Sequence, residues 1–295
     1  MTGSLRATAI GGVAILLWAL LALFTTGAAG LPPFQLLAMT FAVAFLLGLG
    51  LIARRGPAAF RVLRQQPAVW LLGVAGLFGY HAFYFFALDN APAVEASLIA
   101  YLWPLLIVLL SALLPGERLS VAHLAGAGLG FGGAVLLIGR GGAFTVDPAY
   151  LTGYLAAFAC ALTWSCYSVL NRRFAAVPTD VVTGFCGGVA LLGLACHLAF
   201  ETTVMPTAGQ GLAALSLGLG PVGVAFFAWD HATKHGDLQV LGALAYAAPL
   251  ISTLLLIAFG RAEATWTVGI ACLLITGGAA LAARGSTQRR SKRRN

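Results

Sequence analysis

Two short runs of this chain carry residue types suited to holding a small polar molecule in apolar surroundings. One is Tyr101-Leu102-Trp103-Pro104, the other Tyr246-Ala247-Ala248-Pro249. Proline has no N–H, so inside a helix it leaves the carbonyl four residues earlier without its partner. Pro104 should free the Ala100 carbonyl, and Pro249 that of Ala245. A carbonyl freed in lipid must find a donor or face a wet cavity. Beside these runs lie Tyr80, His81 and Tyr84, then Ser97 one helical turn before Tyr101, and Trp164 further along the chain. The set offers π faces and carbonyls to an ammonium group, and hydroxyls and an imidazole to a carboxylate. As a neutral ring, His81 could donate to a carboxylate or relay a proton.

The set has almost no fixed charge and holds no nucleophile–base pair. Its chemistry is therefore binding, with no catalytic residue. A polyanion would find no counter-ion there and would lose its hydration uncompensated. A zwitterion carries its two charges as a compact pair, and cation–π contact with a desolvated ammonium is worth up to ~2 kcal/mol. Apolar walls discriminate weakly, by ~1–3 kcal/mol per methylene. The expectation is a broad amino-acid specificity leaning to large apolar or aromatic side chains. The competing reading is that these rings only fill space and the prolines only kink their helices.

Two other constellations carry less. His231 and His235 have the i,i+4 spacing of a metal pair, with Asp230 and Asp237 close by. Ala232 stands where the glutamate of a zincin helix would be, which counts against the match; an integral membrane metalloenzyme using His231 and His235 is the alternative function, and a non-transporting assembly subunit a third. Gly128-Leu-Gly130-Phe-Gly-Gly133 satisfies G-x-G-x-x-G but follows no strand. The small-xxx-small spacing of Gly126/Gly130 and Gly128/Gly132 explains it as close helix packing. The five cysteines lie in apolar runs, are odd in number and form no C-x-x-C, so neither disulfides nor a metal cage are expected. No cofactor or metal is called for.

The elements that must position the binding residues are membrane helices. Hydrophobic residues make up 60% of the chain, charged residues 9%, and mean hydropathy is +0.93, so the bilayer is the solvent that suits it. Ten stretches are long enough to cross: 7–27, 33–53, 68–88, 93–114, 120–139, 149–171, 179–199, 211–232, 238–259 and 265–284. The connections carry turn residues such as Pro32-Pro33 and Pro115-Gly116. The net charge of +8 comes from short basic clusters between spans and from residues 285–295, a tail expected to lie disordered against anionic lipid. No basic face with aromatic interleaving suggests nucleic acid.

With the N-terminus in the cytoplasm, fifteen of the seventeen Lys and Arg residues fall inside and only Arg140 and Arg261 outside. That bias supports ten spans with both termini cytoplasmic. Asp89, Glu95 and Asp230 read as residues at headgroup depth, with Asp230 paired to Lys234 at i,i+4.

The chain is also duplicated. Tyr-x-x-Pro recurs 145 residues on, and so does Gly132-Gly133-Ala134, as Gly277-Gly278-Ala279. The first repeat covers residues 1–143 and the second 144–284. Five helices per repeat is odd, so the halves run in opposite directions, the construction of many secondary transporters. The expected fold is all-α, ten transmembrane helices in two inverted five-helix repeats around a central cavity. Helical spacing puts Ser97, Tyr101 and Pro104 on one face and turns Trp103 about 200° away from Tyr101, unless the kink rotates it.

Ten spans, the five-plus-five duplication, proline in the fourth and ninth spans, and Pro115-Gly116-Glu117-Arg118 followed by Gly132-Gly133 resemble the drug/metabolite transporter superfamily of EamA type. Tyr80-His81-x-x-Tyr84, Tyr101-Leu102-Trp103-Pro104 and Trp164 resemble, more narrowly, the YddG-type aromatic amino-acid exporters. The resemblance implies a basket of helices, alternating access, and a site carried by His81, Tyr84, Tyr101, Trp103, Pro104 and Trp164. The second repeat departs from the pattern, since Ala262 stands opposite Glu117 and Glu263 one place later.

Overall fold

The computed structural model describes residues 3–139, 147–258 and 263–292. The repeat boundary at 143/144, Arg140, Arg261 and Ala262 lie outside the described residues. Ten helical spans cross the molecule: α1 Gly3–Gly27, α2 Pro33–Ala53, α3 Pro67–Asn90, α4 Ala93–Ser111, α5 Val121–Ile138, α6 Pro148–Phe174, α7 Thr179–Phe200, α8 Ala208–His235, α9 Leu238–Ala258 and α10 Trp266–Gly285. All are long and apolar enough to cross a bilayer. Large side chains such as Leu71, Leu113, Leu191, Leu198 and Leu273 stand 70% or more exposed around the outside, as a lipid-facing surface requires.

Local chemistry sets the ends. Proline opens α2 and α3 at their first positions, where its missing N–H costs nothing. Ser120 with His123, and Thr207 with Gln210, form reciprocal capping boxes before α5 and α8. Asp237 accepts from the Val240 N–H at the start of α9. Gly116 takes φ of 75° in the turn after α4, a backbone conformation that favours glycine. Past Gly285, where a disordered tail was expected, the backbone of α10 stays helical to Lys292. The segment holds good helix formers and no proline.

The packing shows the twofold relation directly. α2 lies against α7, α4 against α9 and α5 against α10, so each pairs with its own counterpart. α3 packs on α6, and its counterpart α8 packs on α1. An exchange of repeats therefore preserves the contact pattern, as inverted five-helix repeats require. Glycine allows the closest approaches. A Cβ on Gly126 would meet the Gly278 carbonyl at 2.5 Å, and one on Gly242 would meet the Pro104 carbonyl at 2.7 Å. The first holds α5 to α10; within the glycine run close packing holds at Gly126 and Gly130, whereas Gly128 and Gly132 face open space. The second brings the two proline-bearing helices into backbone contact.

One face of the molecule carries Arg54, Arg55, Arg61, Arg64, Arg118, Arg172 and Arg173 at the ends of its spans, together with the first residues of α1 and the last of α10. It is termed the basic face below. At the opposite face Glu201, after α7, accepts from the Phe34 and Gln35 N–H groups at 2.8 and 3.0 Å and so caps α2. His197 is bonded to the same carboxylate at 2.9 Å.

Candidate substrate site

The fourth and ninth spans are interrupted at matching residues. α4 is helical over Ala93–Ala100, breaks at Tyr101 and Leu102, and restarts over Trp103–Ser111. α9 is helical over Leu238–Ala245, breaks at Tyr246, and restarts over Ala247–Ala258. Pro104 falls in the first turn of the restarted segment, a position proline favours. Leu102 and Tyr246 keep right-handed helical dihedrals, so the interruptions are mid-helix kinks of the kind the prolines lead one to expect.

That break changes which side chains meet. Tyr101 and Trp103, placed apart on a continuous helix, both line one cavity because the segments on either side of residue 102 no longer share a register. The break also leaves backbone groups to be satisfied. The Leu105 N–H would meet the Tyr101 carbonyl in an unbroken helix; it donates instead to the Tyr246 hydroxyl at 3.1 Å. Ser165 of α6 donates to the Trp103 carbonyl at 2.9 Å and pins the restart from the other side. Tyr246 is 0% exposed, and its ring packs against Gly130, which has no side chain to obstruct it.

The cavity has a volume of about 120 Å³ and lies where the two repeats meet. Trp18, Tyr80, His81, Tyr101, Trp103 and Trp164 form its aromatic wall, and Pro221, Val222, Phe226 and Ala248 come from the second repeat. Trp18, Trp103, Trp164 and Trp229 interlock beside it, with ring centroids 5.0–6.3 Å apart and mostly edge-to-face. The Trp18 indole donates to the Pro221 carbonyl at 3.1 Å, and the Trp229 indole to Ser168 at 3.0 Å. Pro221 sits in a π-helical turn of α8, Gly218–Val224, whose wider winding turns that carbonyl toward α1.

His81 is oriented by its own helix. Its Nδ1 lies 2.7 Å from the Leu77 carbonyl, and since a carbonyl only accepts, Nδ1 carries the proton of the neutral ring. Nε2 then holds a lone pair. The neutral imidazole presents an acceptor, suited to an ammonium, where the sequence led us to expect a donor to a carboxylate. Tyr84 is bonded to Ser97 at 3.0 Å, and its ring stacks on Tyr80 at 6.2 Å; it supports the wall without lining the cavity. The Tyr80 and Tyr101 hydroxyls make no hydrogen bond among the described residues, which leaves both as donors to a carboxylate.

The ten residues singled out by sequence therefore divide. Tyr80, His81, Tyr101, Trp103 and Trp164 line the cavity. Tyr84 and Ser97 brace Tyr80, while Pro104, Tyr246 and Pro249 shape the interrupted helices. Sequence reasoning left out Phe226 and Pro221. Offset by 145 residues, Phe226 is the counterpart of His81, and the two rings stand 6.4 Å apart across the cavity. The repeat register alone could have found it.

A larger groove of about 780 Å³ runs between α3 and α6. Exposed Leu71, Phe83 and Leu162 edge it, so it faces outward and suits lipid chains. His231 and His235 lie 5.0 Å apart near Arg6 at the basic face, and among the described residues no third metal-ligating side chain joins them.

The EamA-like transporter family matches the chain twice, over residues 7–139 and again over 151–284. This chain belongs to that family. The two matches coincide with α1–α5 and α6–α10. Among its relatives, the aromatic amino acid exporter YddG of Ancylobacter novellus is 54% identical over 94% of this chain and 96% of that protein. The Escherichia coli protein of the same name is 26% identical, again over 94% and 96%. A probable terminal-alkyne amino-acid exporter of Streptantibioticus cattleyicolor is 26% identical over 74% of this chain and 71% of its own. A crystal structure 53% identical in sequence superposes with a TM-score of 0.91, over 95% of this chain and 97% of the other. The chain is a multi-pass membrane transporter.

Proposed function

We propose that this transporter exports amino acids with aromatic or other large apolar side chains across the bacterial inner membrane by alternating access. The observation that carries the reading is the cavity itself. Its walls are aromatic and its polar groups number a few hydroxyls, a carbonyl and one imidazole, with no fixed charge among the lining residues. A zwitterion suits it. The ammonium meets the His81 Nε2 lone pair and the faces of Trp164 and Tyr101. The carboxylate takes the Tyr101 and Tyr80 hydroxyls. An aromatic side chain lies among Trp18, Trp103 and Phe226. The relatives named as amino-acid exporters support the same substrate class.

As it stands the cavity is smaller than the ~300 Å³ or more usual for small-molecule sites, so a substrate must part the tryptophan cluster. The breaks at Tyr101–Leu102 and Tyr246 are the natural hinges, because no continuous helix has to bend there. The basic face lies in the cytoplasm by the positive-inside rule, which places both ends of the described chain there. Counterflow in proteoliposomes tests the substrate class. Labelled phenylalanine should be exchanged and be displaced by tryptophan, tyrosine and leucine. Exchange confined to sugars or polyanions, with no amino-acid competition, would overturn the proposal.

A further inference from the structure

Where the sequence suggests headgroup-depth residues, the structure buries a charge pair. Asp230 and Lys234 of α8 lie 2.9 Å apart with side chains 0% and 1% exposed, the most enclosed ion pair among the described residues. Asn171 at the end of α6 donates to Asp230 Oδ1 and to Thr233 Oγ1, each at 3.0 Å. The Lys234 ammonium also donates to the Val177 carbonyl, between α6 and α7, at 3.0 Å. Arg172 ties the same end of α8 down through the Thr233 carbonyl at 2.8 Å.

The location gives the pair its meaning. Phe226 lines the cavity and Asp230 follows one turn later, about 6 Å along the axis toward the basic face. Trp229 of the tryptophan cluster adjoins it in sequence. A path from the cavity to the basic face along α8 therefore passes through this pair. In the other repeat the positions 145 residues earlier are Phe85, a ring set edge-to-face against Phe34, and Asp89, which is exposed. Among the described residues no ion pair stands at those two positions.

We infer that Asp230 and Lys234 form a loading site for zwitterions at the basic face, closed by its own charges when empty. A carboxylate and an ammonium side by side are also what a free amino acid carries. If α8 separates from α6 and the α6–α7 connection with nothing to replace the pairing, two desolvated charges lose their partners, which opposes opening. An arriving amino acid answers both, its ammonium on Asp230 and its carboxylate on Lys234 and the Asn171 amide. An amine or a carboxylic acid answers only one. The gate thus opens to the substrate class that the cavity holds, and empty opening is suppressed. This inference rests on the amino-acid reading proposed above.

The test uses three probes with the same ring: phenylalanine, phenethylamine and 3-phenylpropionate. Binding is followed by intrinsic tryptophan fluorescence, and counterflow is measured in proteoliposomes. The variant D230L/K234M replaces the pair with apolar side chains, a change that buried ion pairs generally tolerate. Its fluorescence response to phenylalanine checks that the cavity is still folded. Its preference for phenylalanine over phenethylamine in counterflow should fall at least about tenfold. The conservative variant K234R, which keeps a cation against Asp230 and the Val177 carbonyl, should retain the preference. A doubly apolar variant with wild-type rate and preference would overturn the loading site alone. Wild-type protein that neither binds nor exchanges phenylalanine would overturn both it and the amino-acid reading.

Discussion

Tyr101 and Tyr246 occupy the same place in the two repeats, yet removal of their hydroxyls should have opposite consequences. In Tyr246→Phe the ring remains and the one lost atom is the acceptor for the Leu105 N–H, 3.1 Å away. Tyr246 is 0% exposed and sits within the bilayer span, so no water replaces it. A buried donor left unsatisfied costs about 1–3 kcal/mol, and that is the expected loss of stability. Binding should change little, since the ring and the break stay in place. In Tyr101→Phe no protein hydrogen bond is lost, so stability should hold. The missing hydroxyl then faces the substrate carboxylate, where a bond to a charged group is worth ~1.5–3 kcal/mol, or roughly tenfold to a hundredfold in affinity. Equilibrium denaturation in mixed micelles reads the first quantity, and fluorescence titration with tryptophan or phenylalanine the second. Equal losses of affinity in both variants with no difference in stability would refute this division of roles.

Other outcomes follow from the same geometry. Trp164→Ala removes a ring in contact with Trp18, Tyr80, Trp103 and Phe226, and should weaken all aromatic substrates together in competition counterflow. Gly242→Ala places a methyl 2.7 Å from the Pro104 carbonyl, which backbone cannot easily yield; transport should fall sharply while the protein still reaches the membrane, as judged by flux and membrane fractionation. Glu201→Ala strips the cap from two α2 N–H groups and the partner from His197, and should cost about 1–3 kcal/mol in denaturation. A cysteine placed at open Gly209, at the start of α8, should react with a membrane-impermeant maleimide added from the periplasm; reaction only after permeabilisation would reverse the orientation.

Much of the architecture was legible because bilayer physics leaves few choices. Ten apolar stretches, a register repeated at 145 residues and an odd helix count led to the inverted basket. The aromatic residues at mid-span also named most of the wall. What escaped the sequence was set by tertiary partners. Periodicity carried through residue 102 turned Trp103 away from Tyr101 unless the Pro104 kink rotated it, and how far it rotates is set by the packing around it. Tyr246 looked like a binding residue until its hydroxyl was seen to serve a backbone group in the other repeat. Asp230 read as a headgroup-depth acid because its position four residues before Lys234 does not reveal that Asn171 and Val177 enclose the pair. The donor–acceptor sense of His81 depends on a contact with Leu77 that only the folded helix shows.

The central claim is that an aromatic amino acid sits between the two repeats, against Trp164, Tyr101 and His81. Anomalous diffraction from crystals grown with 4-bromophenylalanine locates the ligand without assumption. The account predicts a bromine peak among Trp18, Trp103 and Phe226, with the amino-acid head toward His81 and Tyr101. A peak in the outward α3–α6 groove, with the cavity empty, would contradict it.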